Sequence, residues 1–319
     1  MYYDRHIDDA LADTLKPGGA LAWLRAHVDS PEGQRHHAHL QFRRAKGGRE
    51  RGSIQLYWGR TSPIEFQSRR DGCVRLQAHR TYHDAHPELF SSAVQLSALE
   101  ALEPKLRAHL GAASAILLGP EARRQAFLKG EATCHAGMMR RYGHKWRAAD
   151  PLVALDAEAR VGFDSRDAQR RDDEALTRQL GLGDDEALPK KLDTIGVSPE
   201  GDLVLVEVKD AQGDISRAVT QAAAHVARFS RLLEGGLGAR AQRMLDQKRR
   251  VGLLPSGCPD ISSTARVIPW VAAPDTDPDW ATRWSRDTLA LRARLGALLE
   301  DLRWVRLTEH GDVLEVTIP

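Results

Sequence analysis

Between His36 and Tyr82 the chain alternates apolar with polar or basic residues, in HHAHLQF, GSIQLYW, IEFQSRR and CVRLQAHRTY. Lys46-Gly47-Gly48, Gly59 to Pro63 and Asp71-Gly72 punctuate these runs. Period-two alternation with such breaks predicts three or four antiparallel strands with one wet face. Ahead of them, residues 7–28 read as two short helical pieces broken at Lys16-Pro17-Gly18-Gly19. Behind them, Leu96, Leu99, Leu102, Leu106 and Leu110 recur at helical spacing, which predicts a helix over Leu89–Leu110 stopped by Gly111. At 319 residues the chain exceeds the usual size of a single core, and a first domain over 1–114 with a second over 115–319 is expected.

From Glu121 onward the pattern changes. Glu121 to Tyr142 is helical with interruptions at Gly130 and Gly137, and Glu158 to Phe163 is a short strand candidate. Asp164–Glu186 is charge-rich, with Leu176 and Leu180 at helical spacing, and reads as an exposed helical excursion or a mobile insert. Two apolar runs follow, Leu192–Val197 and Leu203–Val208, around Ser198-Pro199-Glu200-Gly201-Asp202. That is a hairpin. Asp214 is positioned to cap a helix over Ile215–Leu233 ending at Glu234-Gly235-Gly236, and Ala241–Arg250 reads as further helix. Arg266–Ala273 is a buried-type strand, and Asp277-Pro278 opens a helix to about Leu302. Trp304–Leu307 and Val313–Ile318 form a closing hairpin, with Trp280, Trp284 and Trp304 packing that last helix on the sheet.

The central hairpin carries the chemistry. A three-residue loop pairs Ser198 with Asp202, and the antiparallel register then sets Asp193 opposite Glu207. Side chains alternate along a strand, so Leu205, Glu207 and Lys209 share a face. Two facing carboxylates repel unless a cation lies between them, and an acid and a lysine in a Leu/Val strand are costly to bury without purpose. The alternative is a surface salt bridge of Lys209 with Asp193 or Glu207 on a solvated face. The acid-x-lysine spacing also occurs at Glu103-Pro104-Lys105 and Asp246-Gln247-Lys248, but only Glu207-Val208-Lys209 reads as strand. Only nine of the 46 basic residues are lysines.

Charge sharpens the first domain. The net charge is +2, yet residues 35–80 hold eleven Lys/Arg against three Asp/Glu. Arg43, Arg44, Arg51, Arg69 and Arg70 are interleaved with Phe42, Tyr57, Trp58 and Phe66. A basic sheet with aromatics suits a nucleic-acid backbone, and Phe42 and Phe66 are assigned to the core. His36, His37 and His39, like His79, His83 and His86, are expected to face solvent, because no cysteine or acid completes a zinc spacing. Cys73, Cys134 and Cys258 lie far apart, which fits a reducing compartment. With no signal-peptide pattern and no apolar run of membrane length, a soluble, cytoplasmic protein is expected.

Asp193, Glu207-Val208-Lys209 and Gln221 on the following helix resemble the core of the PD-(D/E)XK nuclease superfamily over roughly residues 121–275. Leu192 stands where the family name has proline, and His225 where many relatives have tyrosine. The resemblance implies an α/β fold with a restriction-endonuclease-like αβββαβ core, preceded here by a β-rich N-terminal domain. It implies Mg²⁺ or Mn²⁺ held by Asp193, Glu207 and the Val208 carbonyl, with Lys209 orienting water and Gln221 supporting it. A glutamate from the first core helix often joins, for which Glu131 is the candidate and Glu121 and Glu158 are rivals. The expected activity is phosphodiester hydrolysis, on DNA before RNA, in phage defence or restriction. A homo-oligomer or a defence-system partner protein would suit such a role. The contrasting expectation is a non-catalytic nucleic-acid-binding or assembly subunit with a nuclease-like fold.

Overall fold

The computed structural model describes residues 1–43, 50–119, 130–183, 187–210 and 214–319, with Glu50 and Arg51 described by backbone alone. The fold is mixed α/β with two sheets, of five and six strands among the described residues. Contacts divide the chain into two units: 4–146 with 243–257, and 1–3 with 147–242 and 258–319.

The first unit opens with three short helices, α1 (Asp9–Asp13), α2 (Ala22–Asp29) and α3 (Pro31–Arg35). Its sheet runs β1 (His39–Arg43), β2 (Glu50–Trp58), β3 (Thr61–Arg69), β4 (Cys73–Gln77) and β5 (Ala93–Gln95), in that order, every pairing antiparallel. Period-two alternation sends Phe42, Ile54, Leu56, Trp58, Ile64 and Phe66 into one core, each fully buried. After α4 (Arg80–His83), the helix expected from Leu89 begins only at Glu103: α5 spans Glu103–Leu117. Leu89–Leu102 instead forms 3₁₀ turns and β5, whose Val94 pairs with Val74. Gly111 does not end α5, because its apolar face continues through Ala113 and Leu117 and outweighs the ~1 kcal/mol penalty of one helical glycine. Helix α6 (Glu131–Met139) also belongs to this unit, so the residue-114 boundary expected from the sequence falls inside it.

The second unit begins its sheet at β6 (Val153–Ala159), earlier than the 158–163 strand expected, because the apolar run from Leu152 to Leu155 is buried there. Buried Asp156 is satisfied by the Tyr3 hydroxyl, which donates to Oδ2 at 2.6 Å. Helix α7 (Arg166–Leu180) starts at Ser165, whose Oγ accepts from Ala168 N at 3.1 Å, and ends at Gly181 with φ 60°. The segment is helical and largely exposed, as expected, but it is docked rather than loose: Leu176 and Leu180 pack into a core with Ala218, Val219 and Ala222, and residues 184–186 of the expected segment lie outside the described residues. Strands β7 (Leu192–Val197) and β8 (Leu203–Val208) form the expected hairpin, followed by α8 (Ile215–Glu234) and α9 (Leu237–Arg250). Asp214 caps α8 by accepting from Arg217 N at 3.1 Å. Strand β9 (Val267–Pro274) lies parallel to β8.

The single helix expected after Pro278 is two, α10 (Trp280–Asp287) and α11 (Leu289–Leu295). Thr288 divides them, its Oγ1 donating back to Trp284 O at 2.7 Å. Strands β10 (Arg303–Leu307) and β11 (Val313–Thr317) close the sheet in the order β11-β10-β9-β8-β7-β6. Trp284 meets Trp280 and Trp304 edge-on at 4.8 and 5.7 Å, the packing expected of them. Among the described residues no helix is long and apolar enough to cross a membrane.

Candidate active site

The β7–β8 register is the one the turn predicts. Ser198 N donates to Asp202 O at 2.9 Å, and Thr194 pairs with Val206, Ile195 with Leu205 and Val197 with Leu203. One step further sets Asp193 opposite Glu207. On the other side, the pairs Ala157–Thr194 and Ala159–Leu192 bracket Glu158 beside Asp193. Glu158, Asp193 and Glu207 therefore form a row across three strands. Glu158 holds a φ of 48°, unusual for a residue with a side chain, and accepts from Lys191 Nζ at 2.9 Å.

Glu207 is 3% exposed, which removes the solvated-face alternative. Lys209 Nζ donates to Glu207 Oε1 at 2.8 Å and to the Val208 carbonyl at 3.2 Å. Asp193 Oδ2 accepts from Val208 N at 2.8 Å, so the carboxylate ends the ladder where β8 stops. Burying an ion pair costs desolvation that its attraction seldom exceeds by much, so stability alone does not explain this pair. The ammonium lies between a carboxylate and a carbonyl. Hard oxygen donors of this kind suit Mg²⁺ or Mn²⁺.

Helix α8 faces the row. The His225 ring is 3.9 Å from Glu207 Oε2 and bonds the Lys191 carbonyl at 3.1 Å through the same Nε2. A carbonyl only accepts, so Nε2 carries the proton. Burial, then the charge of Arg228, lowers the imidazole to about 3 against the pull of that carbonyl, so the ring is neutral and forms no ion pair with Glu207. One turn earlier, half-buried Gln221 lines a cleft of about 540 Å³ with Arg217, Thr220 and Arg294. Its Oε1 is buried without a hydrogen bond among the described residues.

The other expected positions lie elsewhere. Glu131 is in the first unit, where its carboxylate accepts from Arg60 at 2.7 Å, and Glu121 lies outside the described residues. Arg43 donates to the Tyr57 hydroxyl at 3.3 Å and covers that ring, its guanidinium 5.2 Å from the centroid. Arg69 is 4.0 Å from Asp71, and Arg70 is exposed. Arg44 and the Arg51 side chain lie outside the described residues. Among the described residues no group of three or more His, Cys, Asp or Glu is arranged to hold a metal ion.

Two of the histidines expected at the surface are core. His36 lies tilted against Trp58, with ring centroids 4.5 Å apart, and bonds Ser114 Oγ at 2.8 Å, and His39 is 3% exposed. The aromatic core around β2 leaves them no path to solvent.

The sequence reading passed over Arg228. Its guanidinium donates to Asp172 at 2.9 Å, to Asp173 and to the Pro189 carbonyl at 3.1 Å, tying α7 to α8. It also passed over Lys190-Lys191, although two adjacent lysines in a chain with nine were a visible signal. Compared with protein-family models, curated proteins and solved structures, the chain gives no significant match in any of the three.

Proposed function

We propose that the second unit is a metal-dependent nuclease of the PD-(D/E)XK type acting on DNA. The observation that carries this reading is Lys209: its ammonium is held between the Glu207 carboxylate and the Val208 carbonyl, beside Asp193, at a buried strand end. The topology supports it. Three antiparallel strands, β6 to β8, lead through α8 to β9 parallel to β8, which corresponds to the βββαβ part of such a core. The helix before β6 in the chain, α6, belongs to the other unit.

Asp193, Glu207 and the Val208 carbonyl would hold Mg²⁺ or Mn²⁺. A bound divalent cation would supply charge neutralisation at the phosphodiester and a more acidic water. Lys209, with its ammonium beside Glu207 and the Val208 carbonyl, would orient the attacking water and offset the charge that develops on phosphorus-bound oxygen. Gln221 offers a buried carbonyl oxygen that would orient that water by accepting a hydrogen bond from it. Neutral His225 fixes the Lys191 carbonyl and keeps a second positive charge away from Glu207. Placement in phage defence or restriction rests on analogy with the family.

The test is cleavage of supercoiled, linear and single-stranded DNA and of RNA, with and without Mg²⁺ or Mn²⁺. Wild type is expected to cut DNA only with metal, and Lys209→Ala to lose at least about a hundredfold in rate. Undiminished cutting by the variant would remove the assignment.

One observation favours a second reading, an inert nucleic-acid-binding subunit. Lys209 already neutralises Glu207, so that carboxylate has its counter-charge without a metal. Calorimetry with Mn²⁺ separates the two: no heat of binding, unchanged by Asp193→Asn, is the inert outcome.

A further inference from the structure

A cavity of about 380 Å³ opens in the second unit between the end of β6, α7, α8 and the segment entering β7. Its volume is at the small end of the range of about 300–1,000 Å³ usual for small-molecule sites. Arg160, Lys190 and Arg228 line it, with Phe163, Thr177 and His225. Asp173 also faces it, but that carboxylate is taken up by Arg228. Arg160 and Lys190 are exposed and have no ion-pair partner among the described residues, so two cations line the cavity.

Two features mark it as built rather than incidental. Glu158, in its left-handed conformation, directly precedes Ala159 and Arg160, and its carboxylate is bound by Lys191, the neighbour of Lys190. One ion pair thus ties together the two backbone segments that deliver the cations. Left-handed backbone at a non-glycine residue costs on the order of 1 kcal/mol or more and persists only where the surroundings enforce it. Phe163, 6% exposed, forms an aromatic wall, with the Arg228 guanidinium carbon 5.9 Å from its ring centroid. Two cations select an anion, and an aromatic wall selects a planar ring. His225, one of its lining residues, is 3.9 Å from Glu207, so one side chain separates the cavity from the Glu207 carboxylate.

We infer that this cavity holds one nucleotide unit of the substrate strand, its phosphate on Arg160 and Lys190 and its base against Phe163. The inference rests on the nuclease reading and names the piece of substrate bound beside the site. Thr177, half-buried on α7, offers a hydroxyl to the sugar or base.

The experiment is calorimetric titration of the full chain with dAMP, AMP and inorganic phosphate. It uses wild type, the double variant Arg160→Ala/Lys190→Ala, and Arg286→Ala, an exposed arginine on α10 outside the cavity lining. Both nucleotides are expected to bind, and inorganic phosphate more weakly. The double variant should bind the nucleotides at least about tenfold more weakly, while Arg286→Ala binds them as wild type does. Absence of nucleotide binding, equal affinity in the double variant, or phosphate binding as tightly as the nucleotides overturns the inference. Cleavage is scored separately. Nucleotide binding without metal-dependent cutting removes the nuclease and leaves the pocket, and cutting without nucleotide binding does the reverse.

Discussion

Glu207 lies on a strand buried on both faces and Lys209 just past its end, and their pairing sets what substitutions there do. Removing the lysine leaves a carboxylate with 3% exposure short of its strongest partner, a change that costs about 3–5 kcal/mol for buried pairs. A Lys209→Ala protein therefore needs a stability measurement beside any loss of cutting. The buried histidines raise the same issue with protons. Burial, followed by Arg35, His27 and His37, holds His36 at about 4. Burial also holds His39 at about 3, with His135, Arg43 and Lys248 adding to the effect and the His37 carbonyl opposing it. Unfolded histidine binds its proton near 6.5, so the unfolded chain takes up protons first as pH falls. The stability these rings contribute is complete above about pH 6.5 and is lost on descent toward pH 4. Urea unfolding at pH 7 and pH 5 should show a loss of about 2 kcal/mol from His36 alone, and a smaller loss in His36→Asn. An equal loss in that variant would contradict the assignment.

At the scale of elements, α7 is joined to α8 by leucines and by a four-charge cluster. Arg228 binds Asp172 and Asp173, and Arg231 binds Asp172 at 2.8 Å. Asp172 and Arg228 side chains are each 7% exposed, so the pair at the centre of the cluster is buried, with Asp173 and Arg231 at its exposed edge. Arg228→Met should destabilise the protein by about 3 kcal/mol, and adding Asp172→Leu should recover most of that, since an apolar pair of similar size replaces buried charge at little cost. Thermal unfolding of the single and double variants checks it. If the single variant matches wild type, the cluster contributes nothing to docking α7.

For the molecule as a whole, the units are not consecutive lengths of chain. Residues 243–257 complete the first unit. Gln247 accepts from Ile7 N at 3.1 Å and donates to Ile7 O at 2.8 Å, as a neighbouring strand would. Lys248 donates to Gln41 at 3.2 Å, and Val251 and Leu253 enter the core. A fragment ending at residue 146 loses all of these contacts. We expect it to be unfolded or aggregated, while a fragment in which 243–257 is rejoined by a flexible linker gives a cooperative transition. Circular dichroism of the two decides, and a cooperative 1–146 fragment would refute the dependence.

The hairpin register, the Asp214 cap and the strand setting of Glu207-Val208-Lys209 were legible in the sequence, because each is local. Turn length sets register, side chains alternate with period two, and a capping carboxylate needs only the next turn of helix. The other two acid-x-lysine spacings fall in α5 and α9, as their context implied. Tertiary structure alone decided which charges are buried. Glu207 is sealed by His225 on α8, and Asp172 by Arg228, 56 residues away in the chain. Glu131 and Glu158 were both on offer as a third acid. Register puts Glu158 beside Asp193, whereas Glu131 belongs to a different unit. Burial and partner choice depend on residues far apart in the chain, and no pattern read along the chain contains that distance.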